Sequence, residues 1–126
     1  MIGGIDHLVL TVGDIDRAVA FYTRVLRMEC VTFAGTRKAL MAGDQKINLQ
    51  TLGQETRNRA RVGSGDICLF TQISPDEIIA HLKREGVDIL EGPVEKSGAR
   101  GPIVSVYFND PDGNLVEVGS YAKKAS

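Results

Sequence analysis

The 126-residue chain has few cysteines, no long apolar run and almost no net charge, and each shortage excludes a class of function. Its two cysteines, Cys30 and Cys68, stand far apart and not in a Cys-x-x-Cys pair. That pattern gives no disulfide framework and suits reduced thiols in a reducing compartment. Apolar runs such as residues 8–10 and 78–80 fall far below the ~20 residues that cross a bilayer, so no membrane partner is expected. The opening Met1-Ile2-Gly3-Gly4 lacks a basic segment followed by an apolar core, which points to a cytoplasmic protein. Fifteen Lys and Arg against 16 Asp and Glu leave a formal net charge of −1. So balanced a chain has no field to steer a polyanion, and no nucleic-acid partner is expected.

What remains is an ordinary globular composition, 43% hydrophobic and 25% charged, in a chain long enough to bury a core without staples. One domain over residues 1–126 is expected. The length is also twice 63, which makes an internal repeat the first thing to seek. Residues 4–12 alternate as a strand does; Asp14 then offers an N-cap, and Ile15, Ala18, Phe21, Tyr22, Val25 and Leu26 follow at helical spacing. Residues 30–33, 38–42 and 46–52 are strand-like and separated by turn chemistry. Residues 53–65 are polar and read as a linker, with Arg57, Arg59 and Arg61 as a solvated tether.

The order then recurs. Residues 66–72 read as a strand, and Ser74, Pro75 and Glu77 form an N-terminal capping pattern for a helix that should stop at Gly86. Residues 87–90 read as a short strand, 91–102 as a Gly/Pro-framed loop, 103–108 as a strand, 110–113 as a tight turn and 115–119 as the last strand. Module one is thus 1–52, the linker 53–65 and module two 66–121. Aligning the modules sets His7 over Asp66, 59 positions on, and Asn48 over Glu117, 69 positions on. The excess is expected as extra loop in residues 91–102.

Because side chains alternate across a strand, each strand has two faces. One set is apolar: Leu8, Leu10, Ile47, Leu49, Ile67, Leu69, Val106, Phe108, Val116 and Val118. It should take the helices. The other carries His7, Asn48, Gln50, Asp66, Cys68, Ser105, Tyr107 and Glu117 among Ile5, Val9, Phe70 and Leu115. A merely wet face carries Lys, Arg, Glu and Thr; a few convergent polar groups on apolar walls describe a small-molecule site.

The run Gly4-Ile5-Asp6-His7-Leu8-Val9-Leu10-Thr11-Val12-Gly13-Asp14-Ile15, followed by Ala20-Phe21-Tyr22, resembles the opening of the vicinal oxygen chelate superfamily. Tyr107-Phe108-Asn109-Asp110-Pro111-Asp112-Gly113-Asn114-Leu115-Val116-Glu117-Val118 resembles the signature of that superfamily's second half. The group includes glyoxalase I lyases, extradiol dioxygenases, fosfomycin-inactivating thiol transferases and bleomycin-binding proteins. The resemblance implies an α+β fold of two tandem βαβββ modules forming a curved, cup-like mixed sheet with helices on the outer face. It further implies a homodimer and one divalent metal, Mn, Ni, Fe, Mg or Zn.

Carried onto this chain, the metal ligands are His7, Gln50, Asp66 and Glu117. Two positions depart from the pattern: a His is usual where Asp66 stands, and a Glu is common in the first module, where this chain has Asn48 or Gln50. Relatives with a similar Lys-Ile-Asn-Leu strand often carry His at the Gln50 position, which favours Gln50 and leaves Asn48 for substrate. Ser105 and Tyr107 match positions that contact an anionic substrate group in the fosfomycin-resistance branch, and Lys96 and Arg100 are candidate cationic clamps. Imidazole with carboxylate and amide oxygens suits an open octahedral site. The implied activity is that of a glyoxalase-like lyase, isomerase or thiol transferase acting on a small substrate with adjacent oxygens, with Glu117 as the catalytic carboxylate. The alternatives are a metal-free sequestering protein of bleomycin-resistance type and a relative of the extradiol dioxygenases.

Overall fold

In the computed structural model, which describes residues 1–122, Asp14 opens the first helix by accepting the Arg17 N–H at 2.9 Å. The helix α1 (Ile15–Val25) follows strand β1 (His7–Val12) and precedes β2 (Cys30–Phe33), β3 (Arg37–Ala42) and β4 (Gln45–Thr51). Ala18, Tyr22 and Val25 lie on one stripe of α1 and are buried, whereas Asp16 in its first turn and Arg24 in its last complement the helix dipole. The strands pair in the order β1-β4-β3-β2, with β1 parallel to β4 and the other pairs antiparallel. The helix packs on β3 and β4, and Leu10, Leu40, Ile47 and Leu49 fill the space beneath it. Each large side chain so buried contributes about 1.5–3 kcal/mol.

The second βαβββ sequence is β5 (Asp66–Thr71), α2 (Pro75–Arg84), β6 (Glu91–Gly98), β7 (Gly101–Asn109) and β8 (Leu115–Ser120). Ser74 Oγ accepts the Glu77 N–H, Pro75 occupies the first turn, and the helix ends before Gly86, whose φ of +73° is a glycine conformation. The sheet order β5-β8-β7-β6 repeats that of the first sheet. Ile78 and Leu82 of α2 are buried, as are Val106, Phe108, Val116 and Val118 on the strands.

The chain therefore folds as α+β, two βαβββ modules each with a four-stranded mixed sheet and one helix. It divides into two compact units: Met1–Gly65 with Pro111–Gly113, and Asp66–Asp110 with the chain from Asn114. Among the described residues no helix is long and apolar enough to cross a membrane.

One segment differs from the sequence expectation. Residues 87–90 form no strand, and the expected loop over 91–102 is a hairpin in which β6 and β7 pair from Glu91↔Tyr107 to Gly98↔Gly101. Proline and glycine hid it. Pro93 is tolerated because β6 is the edge strand, where a missing N–H breaks no ladder. Gly92 sits at the irregularity between Glu91 and Val94 with φ +112°, and a Cβ there would run into the Ser105 carbonyl and Val106 Cα. The extra residues of module two thus lengthen strands: β6 and β7 have 8 and 9 residues where β2 and β3 have 4 and 6.

Candidate functional site

In the first unit, the register of β1 on β4 pairs His7 with Lys46, Val9 with Asn48 and Thr11 with Gln50, so all six side chains leave the face opposite α1. A pocket of ≈ 520 Å³ opens there, lined by His7, Val9, Arg37, Asn48, Gln50, Glu55, Arg57 and Asn58. His7 Nδ1 lies 2.7 Å from Asp6 Oδ1. A carboxylate only accepts, so this contact suits a proton on Nδ1, and in the neutral imidazole that arrangement turns the Nε2 lone pair outward, as a metal ligand needs.

Gln50 is 3% exposed and donates from Nε2 to Thr11 Oγ1 at 2.9 Å and to Asn58 Oδ1 at 3.5 Å. Asn48 is 7% exposed, and its Oδ1 is buried with no hydrogen-bond partner. Arg37 Nε is likewise buried and unpaired, with its guanidinium 5.3 Å from the Phe33 ring centre. At the rim, Arg57 Nη2 donates to Glu55 Oε2 at 2.6 Å, and that bond, with the Arg57 backbone N–H and charge, holds the Glu55 carboxyl down at about 2.

In the second unit the register sets Cys68 and Tyr107 on either side of Glu117, on the face opposite α2. Ser105, fully buried, donates from Oγ to Glu117 Oε2 at 2.5 Å. The Tyr107 phenol is pushed up to about 12 by desolvation and then by its hydrogen bond to, and the charge of, Glu117. Cys68 is pushed up to about 11 by desolvation, then by Glu117 and Asp66. Both are therefore neutral hydrogen-bonding groups at neutral pH.

The sequence-derived candidates fall into these two sets. His7, Asn48 and Gln50 meet in the first unit's pocket; Ser105, Tyr107 and Glu117 meet on the second unit's sheet. Asp66 shares that second face, at the exposed start of β5. Lys96 is not on a loop: it lies on β6, 5.5 Å from the Tyr107 ring centre and 3.6 Å from Glu91 Oε1. Arg100, at the hairpin turn, stacks on Phe70 at 4.4 Å. Arg37, Glu55, Arg57 and Asn58 escaped the sequence reading. Arg37 follows turn residues and resembles any strand-end cation; Arg57, its side chain 87% exposed on the polar segment 53–65, also borders the pocket.

The candidate donors fit a divalent ion in type. In the first unit His7 offers an imidazole and Gln50 an amide, and in the second unit Glu117 offers a carboxylate; each is of the donor type that binds Mn²⁺, Mg²⁺, Fe²⁺ or Ni²⁺. Among the described residues no group of three or more His, Cys, Asp or Glu side chains forms a metal cluster.

The family model for the Glyoxalase/Bleomycin resistance protein/Dioxygenase superfamily matches residues 4–118. The virulence protein STM3117 of Salmonella typhimurium is 45% identical over 96% of this chain and 86% of its own length. Its crystal structure superposes with a TM-score of 0.90, covering 97% of this chain and 99% of that one. The metallothiol transferase FosB of Shouchella clausii is 32% identical over 94% of this chain and 80% of its own. A lactoylglutathione lyase structure from Agrobacterium tumefaciens is 27% identical with a TM-score of 0.74, covering 95% of each chain.

Proposed function

Since the chain belongs to the Glyoxalase/Bleomycin resistance protein/Dioxygenase superfamily, we propose that it is a divalent-metal-dependent enzyme of glyoxalase type, a lyase, isomerase or thiol transferase. The observation that supports this reading is the Asp6 carboxylate 2.7 Å from His7 Nδ1, a contact that, with the proton on Nδ1, leaves Nε2 for a metal. The relatives agree in kind: one is named a metallothiol transferase, another a lactoylglutathione lyase. In this proposal His7, Gln50 and Glu117 hold the metal, with Asp66 a further ligand and the Asn48 oxygen turned to substrate.

Once bound, the metal would act as a Lewis acid on two adjacent substrate oxygens. The chain's own residues supply the rest. Glu117 takes or returns the proton at a carboxylate oxygen, and Ser105, by donating to Oε2, orients that carboxylate, which the Tyr107 phenol also hydrogen-bonds. Lys96, adjacent to Tyr107 on the same sheet, offers an ammonium to an anionic substrate group, and the phenol O–H joins it by turning from Glu117.

The test is metal analysis of the purified protein with thermal unfolding at increasing Mn²⁺, Ni²⁺, Fe²⁺ and Zn²⁺. Wild type is expected to gain about 2.7 kcal/mol at a hundredfold excess over Kd, and His7→Ala and Glu117→Ala are expected to lose most of it. Absence of any bound or stabilising metal refutes the enzymatic reading. Turnover of a hemithioacetal or of fosfomycin then separates lyase from transferase.

A further inference from the structure

Two buried polar atoms of the first unit's pocket have no partner, and they are of opposite kinds. Arg37 Nε is a donor and Asn48 Oδ1 an acceptor. Their side chains stand on neighbouring strands and on one face: Ala39 pairs with Asn48 in the β3–β4 register, and Arg37, two residues along, lies diagonal to Asn48, within reach of its long side chain. Both residues line the pocket. Unpaired buried groups of this sort carry an energetic cost that a matching ligand relieves.

The charge of the pocket is also uneven. Arg57 is matched by Glu55 at 2.6 Å, and Glu55 stays ionised, its carboxyl held at about 2. Arg37 instead has the Phe33 ring at 5.3 Å, a contact that fixes the guanidinium plane without neutralising it. Lys46 Nζ also lies over that ring, 3.6 Å from its centre, and adds to the positive field on the same face. A cation diagonal to a buried amide oxygen on one face of the sheet is complementary to a small ligand that carries an anionic oxygen group and a neighbouring hydrogen-bond donor.

We infer that the first unit's pocket is a subsite for a small organic oxyanion, a carboxylate or its phosphonate counterpart, gripped by the Arg37 guanidinium while an adjacent hydroxyl or amine donates to Asn48 Oδ1. A small torsional adjustment on entry turns both groups to the ligand. The subsite rests on the reading of this pocket as the substrate site, but it does not need a metal. It makes Arg37 and Asn48 determinants of specificity: one selects the charge and the other the neighbouring donor.

Glycolate, which has a carboxylate and an adjacent hydroxyl, and acetate, which lacks the hydroxyl, are the probes. Each is titrated calorimetrically into protein stripped of metal, at constant ionic strength. Wild type is expected to bind glycolate saturably and more tightly than acetate. Arg37→Gln should weaken both by about tenfold or more, and Arg37→Lys should fall between, because an ammonium keeps the charge but not the fork. Asn48→Leu should leave acetate unchanged and abolish the preference for glycolate. Unfolding midpoints of all variants establish that each is folded, and Arg37→Lys and Asn48→Leu carry the test if Arg37→Gln does not fold. Wild-type affinity in Arg37→Gln, equal binding of the two anions by wild type, or no saturable binding overturns the subsite. Mn²⁺ titration of the same proteins separates the two readings. Loss of glycolate with Mn²⁺ binding intact in Arg37→Gln supports the subsite, whereas glycolate binding without any Mn²⁺ binding sinks the metal proposal and leaves the subsite standing.

Discussion

Asp112 provides the sharpest test of how the Asp-Pro-Asp-Gly turn works. Its side chain is 2% exposed, and Oδ1 accepts both the Gly13 N–H and Arg17 Nη2, each at 2.9 Å. The turn segment Pro111–Gly113 thereby belongs to the first unit, beside the start of α1. A hydrogen bond from a backbone N–H to a charged acceptor is worth about 1.5–3 kcal/mol. The Arg17 pair is half open to water, its side chain 54% exposed, and is worth about 0–1 kcal/mol after screening. A carboxylate close to the α1 N-terminus adds a few tenths through the helix dipole. Asp112→Ala is thus expected to cost about 2 kcal/mol and Asp112→Asn about 1, since the amide oxygen still accepts from Gly13 but without charge. Urea unfolding at constant m-value measures both, and the Asp112→Ala loss should shrink by less than about 0.5 kcal/mol between low and 1 M salt. If Arg17→Ala costs as much as Asp112→Ala, or if Asp112→Ala stays within about 0.5 kcal/mol of wild type, the backbone clip is not the main contribution and the reasoning fails.

Two further outcomes follow from particular contacts. Gly92→Ala should unfold the protein or lower its urea midpoint more than Gly101→Ala, because both positions have positive φ but only at Gly92 would the methyl meet backbone atoms. Cys68 should alkylate slowly with iodoacetamide in metal-free protein at pH 8 and speed up as pH approaches about 11, and Glu117→Gln should shift that profile to lower pH. The sign is that of a raised acid: the thiol form is favoured by folding, so its contribution to stability is full below the ordinary value of 9.0 and is lost as pH rises through about 11. An unshifted profile in Glu117→Gln would show that the neighbouring carboxylate does not act on the thiol.

The repeat, both helices with their caps, and the strands flanking α1 were legible in sequence because each rests on local chemistry. Asp14 and Ser74 cap whatever helix follows them, and alternation in β1, β4, β5 and β8 assigns faces without knowledge of neighbours. The hairpin of β6 and β7 was not legible. Local rules read Gly92, Pro93, Gly98, Gly101 and Pro102 as loop, and only the pairing of β6 at a sheet edge makes them strand. The DPDG turn was recognised as a turn, but nothing near it in sequence reveals that Asp112 holds Gly13, 99 residues away.

By itself, then, the sequence determined the α+β class, the doubled βαβββ order and which polar residues leave the helix-free faces, because periodicity and capping act over a few residues. The tertiary structure decided the company those residues keep. It set His7 Nδ1 against Asp6 and Ser105 and Tyr107 around Glu117, and it left Arg37 Nε and Asn48 Oδ1 buried without partners on one face. Register, burial and the partner of each polar atom depend on strands far apart in the chain, and no local pattern encodes them.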